Sequence, residues 1–132
     1  MLNPLTEAQL HHLREELVRR LAELQQEIHA ILVRSDEEHY LELAGRVHDL
    51  EDQSLATLLV DVNLADVDRH VQEIREVEEA LGRMAQASFG ICRHCQQPIE
   101  YERLLAAPTA ERCVACQAEY ERTHRQPAHP SL

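Results

Sequence analysis

The run Leu10-His-His-Leu13-Arg-Glu-Glu-Leu17-Val-Arg-Arg-Leu21-Ala-Glu-Leu24-Gln-Gln-Glu-Ile28-His-Ala-Ile31 decides the fold. Its leucines and isoleucines recur at steps of three and four residues. That spacing places them on one stripe of a helix, and such a stripe is buried by packing on a second helix. Thr6 followed by Glu7 reads as the helix start. A matching stripe runs through Val67, Val71, Ile74, Val77 or Glu78, Leu81, Met84 and Ser88. Leu55, Leu58, Leu59 and Val62 extend it backwards. Two long helices with one apolar stripe each do not stay apart in water, and the simplest solution is an antiparallel hairpin. The second helix, read from Leu55 to Ser88, would be roughly 50 Å long at 1.5 Å per residue.

Between the two stripes, the turn is expected in residues 35–54. Ser35, before Asp36 and Glu37, reads as an N-cap restarting a helix. Tyr40, Leu43, Ala44, Val47 and Leu50 again keep helical spacing, so a short extra helix is expected there. No proline falls between Leu5 and Gln97, which leaves this whole stretch free to be helical. After it the character changes. Pro98 and Pro108 break the chain into turns, and Thr109 is read as the cap of a final helix running to about Thr123. The last residues, 126–132, contain two prolines and read as a frayed tail.

The 132 residues amount to one domain with an arm. All 13 basic residues are arginines, against 24 acids, for a formal charge of −11. The whole excess lies in residues 36–79, where 14 acids meet only Arg46, Arg69 and Arg75. A nucleic-acid binder needs a basic stripe, and this chain has none. The acidic stretch fits a basic protein surface or channel, or, more plainly, the solvated face of a helix. Four aromatic residues (Tyr40, Phe89, Tyr101, Tyr120) are too few for an aromatic-rich β-sandwich. No apolar run approaches the ~20 residues of a membrane span, and Met1 to Leu10 lacks the pattern of a secretory signal. The expectation is a cytoplasmic protein.

The strongest chemical signal is Cys92-Arg-His-Cys95, 17 residues, then Cys113-Val-Ala-Cys116. Two C-x-x-C pairs at this separation match the four-cysteine zinc template. Zn²⁺ favours a tetrahedral shell of thiolates, and four protein ligands make a closed, structural site. Two alternatives remain at this point: His94 standing in for one cysteine, and a thiol-redox pair, which would leave the second C-x-x-C unexplained. His124 and His129 are weaker donor candidates. A segment of about 37 residues with so few apolar groups needs the metal to fold. There is no glycine-rich phosphate loop, no G-x-S-x-G and no serine with a triad signature, so no enzyme is expected.

The run Phe89-Gly-Ile-Cys-Arg-His-Cys-Gln-Gln-Pro-Ile99, with Arg103-Leu-Leu-Ala-Ala-Pro-Thr-Ala-Glu-Arg-Cys113-Val-Ala-Cys116, resembles the DksA/TraR family of bacterial transcription factors. Glu7-Ala-Gln-Leu10 resembles the start of that family's N-terminal helix. The expected fold is therefore all-α dominated: residues 1–88 as an N-terminal helix and antiparallel coiled-coil hairpin with an acidic tip near 36–54, and residues 89–125 as a small C-terminal four-cysteine zinc finger. The resemblance implies a regulator that binds RNA polymerase without sequence-specific DNA binding. Its hairpin would enter the secondary channel and destabilise open promoter complexes. The family tip Asp-x-x-Asp-x-Ala falls on Asp49-Leu-Glu-Asp52-Gln-Ser54, with serine in place of alanine. Arg69 matches a polymerase-holding arginine. The positions that bind guanosine tetraphosphate in the family are Glu76, Ala107 and Gln117 here. None is cationic, so charge-assisted phosphate bonds are missing and a weak or absent response is expected, unless Arg75 or Arg112 compensates. The alternative is a zinc-stapled helical adaptor, or a channel competitor without transcriptional activity of its own.

Overall fold

The computed structural model describes residues 4–124; the expected tail 126–132 and His129 lie outside them. The fold is helical, with a C-terminal four-cysteine unit. Among the described residues six helices follow in order: α1 (Glu7–Arg34), α2 (Glu38–His48), α3 (Leu55–Leu58), α4 (Ala65–Ala85), α5 (Tyr101–Ala106) and α6 (Val114–His124). Among the described residues the only extended pairing is one antiparallel bridge, Ile91 with Pro98.

Helix α1 begins where the sequence places it. The Thr6 hydroxyl accepts from the Gln9 N–H, and the Gln9 side chain accepts from the Thr6 N–H, a reciprocal cap that satisfies two orphan donors. Leu13, Leu17, Leu24, Ile28 and Leu32 are fully buried along one face. Helix α4 covers that face in antiparallel sense with Val67, Ile74, Val77 and Ala80. Of the two readings at 77 and 78, Val77 is the core residue. A fork from Arg20 to Glu73 (2.6 and 2.8 Å) and a His70–Glu27 contact at 2.9 Å fix the register of the pair.

The middle of the chain differs from the sequence reading. Ser35 does not start a helix; its hydroxyl donates to the Leu32 carbonyl, and it ends α1. Asp36 then takes a left-handed φ of 59°, the usual way to stop a helix, at a cost of about 1 kcal/mol for a residue with a Cβ. Glu37, with no side-chain cap bond, precedes α2. Helix α2 does not prolong α1 but folds back along it, burying Ala44 and Val47, and the Gln25 amide donates to the Val47 carbonyl at 2.6 Å. The unbroken helix expected from Leu55 to Ser88 is also corrected. It is split into α3 and α4 by residues 59–64, where Leu59 and Val62 turn into the core.

These two breaks move the acidic segment. The far end of the α1–α4 pair is formed by Ile31, Arg34, Ser35, Leu64, Ala65 and Asp66, which line one shallow groove. Residues 49–54 lie well short of that end, since Ser54 bonds to Glu78, thirteen residues into α4. Of the segment expected as the tip, the start beside Ser35 lies at that end of the hairpin and residues 49–54 do not.

The other end joins the four-cysteine unit. Ser88 N–H returns to the Arg83 carbonyl and Ala87 N–H to Met84, with Ala87 at φ 59°, so α4 closes in a Schellman motif. Gly90, at φ +82°, faces the Leu5 side chain; a Cβ there would meet Leu5 Cδ1 at 3.1 Å. Both the backbone and the close approach call for glycine. Phe89, Ile99 and Leu104 complete the small core.

Arg20 holds the Glu73 carboxyl below its ordinary 4.5 by hydrogen bonding, against partial burial, so the pair stabilises the fold above that range. This contribution is lost as pH falls through the folded-state value. Glu73→Gln should lower stability at pH 7 by about 0.5–1 kcal/mol, a range set by the pair's partial exposure. The difference should shrink as pH falls below 4.5 and vanish once Glu73 is protonated in the folded state, measured by urea unfolding at each pH.

Candidate functional site

The four cysteines come from two turns. Residues 90–99 form a tight loop in which Cys92 N–H donates to Gln97 O, Gln96 N–H to Cys92 O, and Ile99 N–H to Gly90 O. Gln96 closes it in left-handed conformation, φ 66°. This aims Cys92 and Cys95 at one point. The second pair straddles the start of α6: the Cys113 carbonyl accepts from Gln117 N–H, and Cys116 sits in the first turn. Thr109, expected as the cap, lies instead in the preceding turn, where its carbonyl accepts from Arg83. Helix α5, absent from the sequence reading, spans the gap, and Arg103 on it donates to the Arg112 carbonyl at 2.7 Å. That bond carries the chain from the first cysteine pair to the second.

All four sulfurs lie within 4.8 Å of one another. The Cys95 and Cys113 sulfurs are 3.9 Å apart. A tetrahedral shell with Zn–S of about 2.3 Å needs sulfurs ~3.8 Å apart. The donor set and spacing therefore fit a closed structural zinc site. His94 is exposed and outside the cluster, as is His124. The thiols themselves show why a cation belongs there. Burial opposes ionisation of Cys92, yet backbone N–H groups of Cys95, Cys113 and His94 bring it down to about 6. Burial and then the neighbouring thiols push Cys116 up to about 12. One thiolate forms readily and the next is resisted, the behaviour of crowded groups of like charge; a divalent cation removes that conflict.

A sequence profile of the prokaryotic dksA/traR C4-type zinc finger matches residues 87–122, the whole of this unit. General stress protein 16O of Bacillus subtilis (strain 168) is 32% identical over 124 residues, covering 89% of this chain and 71% of that protein. This chain belongs to the DksA/TraR family. The RNA polymerase-binding transcription factor DksA of Escherichia coli (strain K12) is 28% identical over 124 residues, 94% of this chain and 79% of the relative. The solved structure of transcription factor DksA2 from Pseudomonas aeruginosa superposes with a TM-score of 0.63 at 28% identity, over 91% of this chain and 88% of that one. The metal of this DksA/TraR chain is one structural zinc, and Cys92, Cys95, Cys113 and Cys116 are the residues that would hold it.

The other expected site residues fall in three places. Asp49, Asp52 and Ser54 stay together in the loop after α2, which borders an open cleft of about 540 Å³ with Glu42 and Arg46. Both aspartates are exposed. Arg69 is not beside them; it pairs with Asp66 at 2.6 Å near the far end of the helix pair. Glu76, Ala107 and Gln117, distant in sequence, do converge on one cleft of about 300 Å³ between α4, α5 and α6. Arg83, Arg103 and Arg112 join them there, as do Glu79 and Glu111. Each arginine is already engaged: Arg83 with Glu111 and the Thr109 carbonyl, Arg103 with the Arg112 carbonyl, and Arg112 over the Tyr120 ring at 3.8 Å. Three carboxylates balance three guanidinium groups.

Glu78 is the site residue the sequence did not reveal. It accepts from the Ser54 hydroxyl (2.8 Å), Leu55 N–H (2.8 Å) and Ala56 N–H (3.4 Å), while Ser54 also accepts from Thr57 N–H. Ser54, expected from the resemblance to stand where the family has alanine, is thus the cap of α3. The ambiguity at Val77 and Glu78 in the helical spacing was the only trace of it.

Removal of zinc by a strong chelator should unfold residues 89–124 and leave the α1–α4 pair protected. Hydrogen exchange would show full loss of protection in the first region only. Cys113→Ser should reproduce this and lower metal content from one zinc per chain toward none.

Proposed function

We propose that this DksA/TraR chain is a cytoplasmic, non-enzymatic transcription regulator. It binds RNA polymerase through the secondary channel and shortens the life of open promoter complexes. Asp49 and Asp52 are the groups presented to the active centre, and Arg69 is a polymerase contact. The observation that carries this reading is the match over nearly the whole chain to relatives named for RNA polymerase binding, together with the family's zinc unit. The charge supports it: the acids are gathered away from the near-neutral zinc end, which suits entry into a basic channel and opposes contact with DNA.

Guanosine tetraphosphate has little to hold it. The cleft formed by Glu76, Ala107 and Gln117 carries as many carboxylates as guanidinium groups, and its arginines are engaged. A polyphosphate would have to displace those bonds before forming its own. A second reading, a channel competitor inert at its tip, is favoured by one contact, the Ser54–Glu78 bond that draws the tip segment back.

One experiment separates these. The half-life of a ribosomal RNA open complex is measured with the cognate polymerase, without factor, with the wild type and with Asp52→Asn. The wild type should shorten it about threefold or more, a barrier change of ~0.7 kcal/mol. Asp52→Asn should abolish the effect, and guanosine tetraphosphate should leave it unchanged. Binding with no change in half-life would establish the competitor instead.

A further inference from the structure

We propose that His29 of α1 and His48 at the end of α2 form a second metal site, which takes one divalent cation of the zinc class, with the Asp49 carboxylate holding the His48 ring. The site is separate from the four cysteines. It goes beyond the proposed polymerase binding and needs no partner to be true.

Three observations carry it. The first is the approach of the two rings. Their centres are 5.7 Å apart and their planes are inclined at 53°. A zinc bonded at about 2.0–2.1 Å to one nitrogen of each ring stands about 3.2 Å from each ring centre, so two imidazoles on one tetrahedral ion have centres about 5.2 Å apart. The rings are within about 0.5 Å of that spacing. A small turn of the exposed His48 side chain closes the difference.

The second is the setting of the His48 ring. Its Nδ1 lies 3.1 Å from Asp49 Oδ1. With the Nδ1 hydrogen given to that carboxylate, the Nε2 lone pair is left for a metal, and the carboxylate raises its basicity. The third is that the backbone is already in place. The Gln25 amide donates to the Val47 carbonyl at 2.6 Å. His29 lies one turn beyond Gln25 on α1, and His48 directly follows Val47, so a single bond sets the register of both histidines. The local field also suits a cation. His48 is the last residue of α2, where the helix turns its negative end outward, and the acids of residues 49–52 follow it.

The donor type names the ligand class. Imidazole nitrogen selects zinc, nickel or copper, whereas magnesium and calcium prefer oxygen. Two protein ligands leave the other positions to water, so this ion exchanges with the medium, unlike one closed in by four cysteines. Loading ties the end of α2 to α1 a second time. It also engages Asp49, one of the two aspartates that the polymerase reading assigns to the active centre.

The test is a zinc titration of the full chain already carrying one zinc on its cysteines, with no polymerase present. Two-bond ¹H–¹⁵N spectra follow the ring nitrogens of all nine histidines. Added Zn²⁺ should shift the rings of His29 and His48 alone, with Nε2 as the bonded nitrogen of His48, and the shifts should saturate at one further ion per chain. Magnesium at the same concentration should shift neither ring. His48→Gln should leave the His29 ring unmoved by zinc, and His29→Gln should do the same for His48. Asp49→Asn should weaken the site about tenfold, the lower end of the usual cost of removing the group behind a metal-bound histidine. The His48 side chain is 74% exposed, so its replacement spares the fold and carries the test if His29→Gln does not fold. Rings that stay unmoved would overturn the site. So would shifts spread over surface histidines such as His11 and His12 without saturation at one ion, which mark adventitious binding only. Equal shifts with magnesium would assign the effect to the neighbouring acids and overturn it as well. None of these readouts involves open complexes, so failure of the metal site and failure of polymerase regulation are distinguishable.

Discussion

The apolar stripe of α1 is the constraint on which the rest depends. Leu13, Leu17, Leu24, Ile28 and Leu32 present more surface than one neighbouring helix covers, and α4 and α2 both lie on it. Each covers part of the stripe and neither packs extensively on the other. At about 25 cal/mol per Å² of apolar surface removed from water, that burial outweighs every ion pair on the exterior. It explains why α2 turns back at Asp36 despite the strain. Once α1 is fixed, α5 and Leu5 have a surface on which to seat the zinc unit.

Much of this was legible in the residues. The steps of three and four named the buried face of α1, and Thr6 named its start, because both are local rules. The four cysteines named their metal through spacing alone, since two tight turns and one tetrahedral ion leave little freedom. The breaks at 35–37 and 59–64 were not legible. At the second, the steps of three and four lapse only once, in the five residues from Val62 to Val67, and at Ser35 the competing role of the hydroxyl, a bond back to Leu32, looks identical in sequence to a cap for the next helix. Helix α5 was hidden because six residues are too short for periodicity to declare itself. Glu78 was hidden because its partners are 22 to 24 residues away, and pattern reading sees only neighbours.

Charge is divided along the molecule in the same way as chemistry. The zinc end balances its arginines against glutamates in short bonded sets, such as Arg83 and Arg93 on Glu111. Its surface is accordingly quiet, and the cleft at Glu76 and Gln117 inherits that neutrality. Residues 35–64 are the opposite, with exposed acids and a single arginine. The zinc end is built for internal order and the acidic segment for an outside field, although that segment lies back along the α1–α4 pair as far as Glu78. The fork from Arg20 to Glu73 resists sliding of the helices past each other.

The seating of Gly90 against Leu5 has a mechanical consequence. A small body joined to a rod by one strand of chain can swivel freely. Here the zinc unit is joined by the turn at Ala87 and pressed at a second point by the start of α1, where Leu5 fills the space a Cβ would take. Arg83 of α4 adds a third tie, to Glu111 and the Thr109 carbonyl, and with three ties the unit does not swivel. Whatever grips the zinc unit therefore also sets the bearing of the helix pair, as a stock sets the bearing of a barrel.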